Sequence, residues 1–156
     1  MKKYLLLIIS YLFSITINAQ EIKESGGVYY SGLQPFTGVY TTYFENGNVK
    51  MAFSLKDGLK NGDTKFYYET GLLKEVCSYR NNLMDGIWTT YNATGVRVAV
   101  ARYKNGKKHG KWEIYTDNGT LIYEMFYSMG EKRRTWKQYD PNSGKLISRK
   151  KYKNRQ

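Results

Sequence analysis

The chain has 156 residues, which is enough for one domain, and 41% of them are hydrophobic and 16% aromatic. This composition argues against a disordered chain, because disordered segments are poor in aromatic and β-branched residues. The formal net charge is +12, and the single cysteine, Cys77, excludes an intrachain disulfide. The fold must therefore be held together by strand pairing and packing alone.

Residues 1–20 have the pattern of a secretory signal peptide: two lysines, an apolar run over residues 4–17, and a polar end around Ala19. A retained membrane anchor is the alternative, but the run is short for a spanning helix, which needs about 20 residues. We expect cleavage near Ala19 and export to the periplasm, the outer surface or the medium. The mature chain is predicted to have no transmembrane segment.

Residues 21–37 are predicted to form an N-terminal cap with a partial repeat. The β-prone stretch at 28–32, followed by Pro35, is typical of an edge strand, where proline costs no ladder hydrogen bond.

From Gly38 onward the chain repeats with a period of 24 residues, in units 38–61, 62–85, 86–109, 110–133 and 134–156. A fixed period of this size predicts stacked units that cannot bury their faces alone. The last unit is divergent, because Arg134 replaces the opening glycine. The recurring landmarks are the opening glycines Gly38, Gly62, Gly86 and Gly110, the tyrosines Tyr43, Tyr67, Tyr91, Tyr115 and Tyr139, and the later glycines Gly47, Gly71, Gly95, Gly119 and, displaced by one residue, Gly144.

Each unit predicts a β-hairpin, because two alternating β-prone runs flank a dipeptide such as Asn46-Gly47. Asn-Gly at this position favours a two-residue type I′ loop, which fixes the register of the two strands. The predicted facing pairs are Phe44–Val49, Thr42–Met51 and Tyr40–Phe53 in the first unit, Trp88–Ala101 in the third, and Trp112–Met125, Ile114–Tyr123 and Thr116–Leu121 in the fourth.

A second turn is predicted between units, at Asp57-Gly58, Asn81-Asn82, Asn105-Gly106 and Met129-Gly130. The predicted fold is therefore all-β: an elongated, twisted antiparallel meander of about ten strands, built from tandem 24-residue hairpins. One face should be the packed side, since cross-strand neighbours on one face stabilise a sheet. It carries the facing pairs above together with Leu55, Tyr79, Tyr103 and Tyr127. The opposite face carries the repeated tyrosines, with Lys50 predicted opposite Tyr43, Lys74 opposite Tyr67, Val98 opposite Tyr91 and Ile122 opposite Tyr115.

The template Gly-x-Trp-x-x-Tyr-x-x-x-Gly-x-Leu, with its glycine-containing link, resembles the MORN repeat in its bacterial variant form. Residues 110–121 fit it best, and residues 103–110 supply the link. The resemblance covers residues 38–152, with departures at Thr64, Arg97 and Arg134. It implies hairpin sheets that serve as scaffolds, protein-contact surfaces or phospholipid contacts. Chains of this variant also resemble the YwqK-type antitoxin family, which would imply a toxin partner; an export signal suits an immunity-like protein outside the cytoplasm better than a cytoplasmic antitoxin.

The sequence offers little for catalysis, and we expect a protein that is not an enzyme and holds no cofactor or metal. Cys77 occupies the position of Phe53, Ala101 and Met125 in other units, which indicates a packed core residue. His109 occupies a variable polar loop position. One histidine and one cysteine do not make a zinc site of the usual kind.

The leading functional hypothesis is a scaffold that binds a protein partner through an aromatic sheet face, because a single-layer sheet cannot cover both of its faces. The alternative is that these aromatic residues only stabilise the sheet. The candidate contact residues are Tyr67, Tyr91, Tyr115, Val98 and Ile122.

A second hypothesis is attachment to anionic phospholipid or acidic polysaccharide, because residues 132–156 hold ten basic residues and one acidic residue. The alternative is that this charge only keeps the last strand from pairing with another molecule. Nucleic acid is a third candidate partner, which export argues against. The candidate residues for an anionic surface are Lys132, Arg133, Arg134, Lys137, Arg149, Lys151 and Lys153.

Overall fold

The computed structural model describes residues 21–152, and all regular secondary structure in that range is β. The predicted signal peptide and Lys153 lie outside the described residues. The strands are β1 (Ile22–Ser25), β2 (Val28–Ser31), β3 (Gln34–Pro35), β4 (Gly38–Tyr43), β5 (Val49–Lys56), β6 (Leu59–Tyr67), β7 (Leu73–Arg80), β8 (Leu83–Tyr91), β9 (Arg97–Lys104), β10 (Lys107–Lys108), β11 (Gly110–Tyr115), β12 (Leu121–Ser128), β13 (Glu131–Tyr139) and β14 (Leu146–Tyr152).

The strands from β4 to β14 form one open antiparallel sheet in which chain order equals spatial order, with the short β10 pairing only with β9. The predicted meander of about ten strands is confirmed. Strands β1 to β3 form a separate three-stranded sheet. This small sheet joins the large one through the first inter-unit turn: Tyr29 N donates to Gly58 O, and Gly58 N donates to Phe36 O, both at 2.8 Å.

The hairpin tips differ from the predicted two-residue type I′ loops. In the first unit Phe44 N donates to Asn48 O (2.8 Å) and Gly47 N donates to Phe44 O (3.0 Å), so the loop has three residues. Gly47 has a φ of 84°, whereas Asn46 does not adopt a positive φ. A type I turn followed by a left-handed glycine has this geometry. The predicted type I′ tip is therefore wrong.

The longer loop shifts the register by one residue at each tip. Tyr43 lies opposite Val49, Tyr67 opposite Leu73, Tyr91 opposite Arg97 and Tyr115 opposite Leu121, each beyond a β-bulge. The predicted tyrosine partners Lys50, Lys74, Val98 and Ile122 are therefore wrong, as are the pairs Phe44–Val49 and Thr116–Leu121. Away from the tips the predicted register is confirmed: Tyr40–Phe53, Thr42–Met51, Trp88–Ala101, Trp112–Met125 and Ile114–Tyr123 face each other.

The two-residue type I′ geometry is found at the inter-unit turns instead. Both central residues have positive φ at Asp57-Gly58 (50° and 76°), Asn81-Asn82 (48° and 66°), Asn105-Gly106 (48° and 75°) and Met129-Gly130 (49° and 94°). Two positive φ values define this turn and favour Asn, Asp and Gly. Backbone bonds tie these turns to the preceding units, since Asn82 N donates to Lys60 O, Gly106 N to Met84 O and Gly130 N to Lys108 O.

The opening glycines of the second to fourth units have positive φ and lie close to a side chain of the preceding strand, at Ser54, Ser78 and Arg102. Gly62 lies opposite Tyr79, Gly86 opposite Tyr103 and Gly110 opposite Tyr127. At Gly86 the φ is +118° and an added Cβ would lie 2.8 Å from Ser78 Cβ. Glycine is therefore required at this position for two reasons: the backbone has a positive φ, and a Cβ would be too close to Ser78.

The buried side chains lie on the predicted packed face, which confirms the orientation of that face. They are Phe53, Leu55, Thr64, Cys77 and Ala101, and the last three have exposures of 0%, 0% and 9%. The prediction that Cys77 is a core residue is therefore confirmed. The large aromatic residues beyond Ala101 stay half-buried, because no second layer covers them among the described residues.

Candidate binding surfaces

The packed face carries a row of aromatic rings that we call the aromatic ladder. Successive ring centroids lie between 4.8 Å (Trp136–Tyr152) and 6.4 Å (Tyr79–Trp88) apart, with tilted or edge-on planes that suit aromatic pairs. The row arises because each unit places its Trp and its link tyrosine on one face of neighbouring strands. The aromatic ladder consists of Tyr79, Trp88, Tyr103, Trp112, Tyr127, Trp136 and Tyr152.

Lysines spaced by the repeat period lie over pairs of rings. Lys108 Nζ is 4.5 Å from the Trp112 ring and 5.2 Å from the Tyr127 ring. Lys132, a predicted anion contact, is held in the same way at 4.7 Å from Trp136 and 5.4 Å from Tyr152. These cation–π contacts place Lys132 on the packed face. It therefore lies apart from the basic residues of the opposite face.

Indole hydrogen bonds fix the orientation of the tryptophans. Trp112 Nε1 donates to Arg102 O at 2.9 Å, and Trp136 Nε1 donates to Phe126 O at 3.0 Å. Trp88 Nε1 donates to a side chain instead, the carboxylate of Glu75. Glu75 was not among the predicted site residues.

The predicted partner-contact residues lie on the opposite face, near the hairpin tips. Tyr67, Tyr91, Tyr115, Val98 and Ile122 are all half-buried. The guanidinium carbon of Arg97 is 5.1 Å from the Tyr115 ring centroid, and its Nη2 donates to the tyrosine hydroxyl at 3.4 Å.

Neighbouring tips are tied together, because the Tyr68 hydroxyl donates to the carbonyl of Tyr91 at 2.9 Å. Burial, and then the nearby Glu113 carboxylate, raise the pKa of Tyr115, so its phenol is neutral at physiological pH. The tip region is thus an aromatic surface with Arg97 at its margin.

A network of charges crosses the same face in the fourth and fifth units. Lys111 Nζ contacts Glu113 at 2.7 Å and Glu124 at 3.0 Å, while Lys137 contacts Glu124 at 2.8 Å. The hydrogen bond from Lys137 is the main cause that lowers the pKa of Glu124. Lys137, a predicted anion contact, is therefore already paired within the chain.

Next to this network lies a basic cleft of about 550 Å³. It brings the predicted Arg133 and Arg134 together with Arg102 and Lys111, and no carboxylate lines it. Arg134 lies 5.0 Å from the ring of Phe126, and Arg133 also pairs with Glu131. Sequence reasoning missed Arg102 and Lys111. The predicted Trp112–Met125 register, which puts Lys111 opposite Phe126, was the signal that could have found Lys111.

The remaining predicted basic residues lie on β14. Arg149 is opposite Lys137 and Lys151 is opposite Thr135, so both extend the face of the charge network, and both are exposed. Lys153 lies outside the described residues.

Cys77 is buried in the packed face, and His109 takes part in a hydrogen bond at an inter-unit turn. Burial raises the pKa of the Cys77 thiol well above its usual range. His109 Nδ1 accepts a hydrogen bond from Met129 N at 3.5 Å, as Asp85 accepts one from Asn105 N one unit earlier. Across residues 21–152 no group of three or more His, Cys, Asp or Glu side chains could hold a metal ion. No helix in that range is long and apolar enough to cross a membrane.

These features define a class: an open array of tandem β-hairpins with two uncovered faces. Residues 36–57, 60–81 and 108–129 match the family described as MORN repeat variant. These three segments are therefore similar to MORN repeats of the variant type, a kind of repeat that suggests a scaffolding or binding role. Residues between and after these segments continue the same hairpin sheet. No curated protein matches the chain.

Proposed function

We propose that this protein is a non-enzymatic scaffold that is exported and binds a protein partner through the tyrosine-bearing face of its sheet. The observation that carries the proposal is the openness of the sheet. Few side chains are buried, and large aromatic residues on both faces stay half-exposed. Uncovered apolar surface of this kind is typical of interaction sites.

The contact patch is centred on Tyr91 and Tyr115. Tyrosine and arginine are enriched at the centres of protein interfaces, and Arg97 lies against Tyr115 in this patch. Val98 and Ile122 supply apolar surface in the two strands that follow these tyrosines. The exposed fraction of each ring is what a partner would cover.

The test replaces Tyr91 and Tyr115 together by serine in the tagged mature chain. We expect unchanged far-UV circular dichroism and weaker capture of a partner from cell extracts. Tyr30→Ser, in the small N-terminal sheet, is the matched control and should capture normally. Unchanged capture by the double variant would overturn the proposal. Cell fractionation tests export separately.

A partner that proves to be a toxin would make this an immunity-like protein of the YwqK type. The same capture experiment distinguishes that role, because adding the purified chain should then suppress the activity of the captured protein. If the activity of the captured partner is unchanged, the immunity role is ruled out and the scaffold role stands.

A second candidate function is attachment to an anionic surface, such as phospholipid or acidic polysaccharide. It is supported by the basic cleft, which is lined by Arg102 and Arg134 together with Lys111 and Arg133. The last two are also ion-paired, Lys111 with Glu113 and Glu124 and Arg133 with Glu131. The exposed Arg149 and Lys151 add to the positive charge of this region. Each basic residue near an acidic membrane contributes about 1 kcal/mol before screening.

Sedimentation with vesicles containing phosphatidylserine, at low and physiological salt, tests this function. The sharpest variant is Arg134→Gly, which removes one charge and restores the glycine of the other units at a φ of 59°. It should fold at least as well and bind vesicles more weakly. Absence of sedimentation of the unaltered chain at low salt would remove the candidate.

A further inference from the structure

The aromatic ladder contains a hollow in the third unit. Strand β9 carries alanine at two packed-face positions, Ala99 and Ala101, where β5 carries Met51 and Phe53. The missing side-chain volume leaves a cavity of about 250 Å³. Its walls are Trp88, Tyr103, Trp112, Ile114, Thr90 and Glu75.

Glu75 gives the hollow a negative charge. It lies in the cross-strand row between Phe66 and Thr90, at a position that holds Met51 in the first unit. One carboxylate oxygen accepts the indole hydrogen bond of Trp88. Thr90 also hydrogen-bonds this carboxylate. A carboxylate has about four acceptor sites, so Glu75 retains capacity for another donor beside Trp88 and Thr90.

The rings beside Glu75 lack the lysine that lies over the corresponding rings in other units. Lys60, Lys108 and Lys132 each lie over ladder or neighbouring rings, but the equivalent position in the third unit is Met84. Among residues 21–152 no lysine or arginine lies over Trp88 or Tyr103. The repeat pattern is therefore incomplete at the place where the cavity and the carboxylate occur.

We propose that this hollow binds a lysine or arginine side chain of the protein partner. The apolar stem lies against Ala99, Ala101 and Ile114, and the charged head lies between Glu75 and the rings of Trp88 and Tyr103. A cation next to both a carboxylate and an indole gains from ion pairing and from the ring quadrupole. The proposal rests on the proposed function for the source of the side chain, but the chemistry of the hollow can be tested without a partner.

The probe is n-butylammonium, with n-butanol as its neutral counterpart, titrated into the tens-of-millimolar range that so small a ligand requires. The readout is the set of indole N–H signals in ¹H–¹⁵N spectra. We expect saturable shifts for Trp88 and Trp112 with the ammonium, and none with the alcohol. Trp136, in the last unit, is the internal control and should not move.

Two variants complete the test. Glu75→Gln should weaken ammonium binding by about tenfold, as expected for the loss of one charged hydrogen bond. Ala99→Met copies the first unit, fills the cavity and should abolish the shifts. Equal shifts with butanol, no shifts with the ammonium, or shifts that persist in Ala99→Met would each overturn the hollow as a cation site. Because these spectra contain no partner, their failure is separate from a failure of capture by the Tyr91 and Tyr115 variant.

Discussion

Replacing Gly86 by alanine should destabilise the array by about 3 kcal/mol. The backbone at Gly86 has a φ of +118°, a conformation that costs a residue with a side chain about 1–3 kcal/mol. The new Cβ would also lie 2.8 Å from Ser78 Cβ and 3.3 Å from its hydroxyl, and overpacking of this kind costs about 1–3 kcal/mol. Gly95 is the matched control. It has a φ of +83° with nothing within 4 Å of an added Cβ, so Gly95→Ala should cost only the backbone term of about 1–2 kcal/mol.

Urea unfolding followed by tryptophan fluorescence would give both free energies of unfolding, provided that the denaturant slope is unchanged. The double variant Gly86→Ala with Ser78→Gly separates the two causes, because it removes the contact and leaves the backbone conformation. It should be more stable than the sum of the two single changes predicts. Equal losses for Gly86→Ala and Gly95→Ala, with simple additivity in the double variant, would refute the close-approach argument.

Three further predictions concern titratable groups. Burial, the largest cause, raises the pKa of Glu75, so the stability that this group contributes is full below about pH 4.5 and is lost as the pH rises through the folded-state pKa. Glu75→Gln should therefore be more stable than the unaltered chain at pH 7, and the gain should vanish by pH 4 in thermal melts. The pH dependence of stability has the opposite sign for Glu124, because the hydrogen bond from Lys137 lowers the pKa of this carboxyl. Glu124→Gln should therefore lower the free energy of unfolding by about 1 kcal/mol at pH 7, and should leave it unchanged once the pH falls below the folded-state pKa. A pH-independent difference would contradict either assignment. Cys77, fully buried with a raised pKa, should react with a thiol reagent only at the rate of unfolding, and rapid labelling of the folded chain would contradict its burial.

The repeat period was sufficient to predict the sheet, the packed face and the register within strands. These follow from the fixed spacing of Gly86, Trp88 and Tyr103, because a strand alternates faces with a period of two. The turn types could not be predicted in the same way. A glycine after asparagine can be the second residue of a two-residue loop or the third of a longer one, and the surrounding strands decide which occurs.

The error at the tips then carried over to the candidate contacts. A one-residue shift placed Arg97, not Val98, opposite Tyr91. The cation hollow was missed for another reason, because small residues such as Ala99 leave no motif in a sequence. The hollow can be recognised only once the positions of the surrounding rings in the folded sheet are known.

Backbone hydrogen bonds between successive inter-unit turns hold the units side by side at a regular spacing, so the array repeats in space as it does in sequence. Two strands at about 4.8 Å each mean that one unit adds about 10 Å to the length of the sheet. Duplicating or deleting a whole unit would therefore change the reach of the molecule in fixed steps and leave each remaining residue on its original face. A single residue inserted inside a strand would instead move the residues that follow it in that strand to the other face, or would be absorbed by a β-bulge like those at the tips. The extra residue before Gly144 is tolerated because it lies in a loop, where Gly144 N still closes on Asp140 O at 2.9 Å. Variants with more or fewer units would thus differ in length while each face of the sheet keeps its own residues.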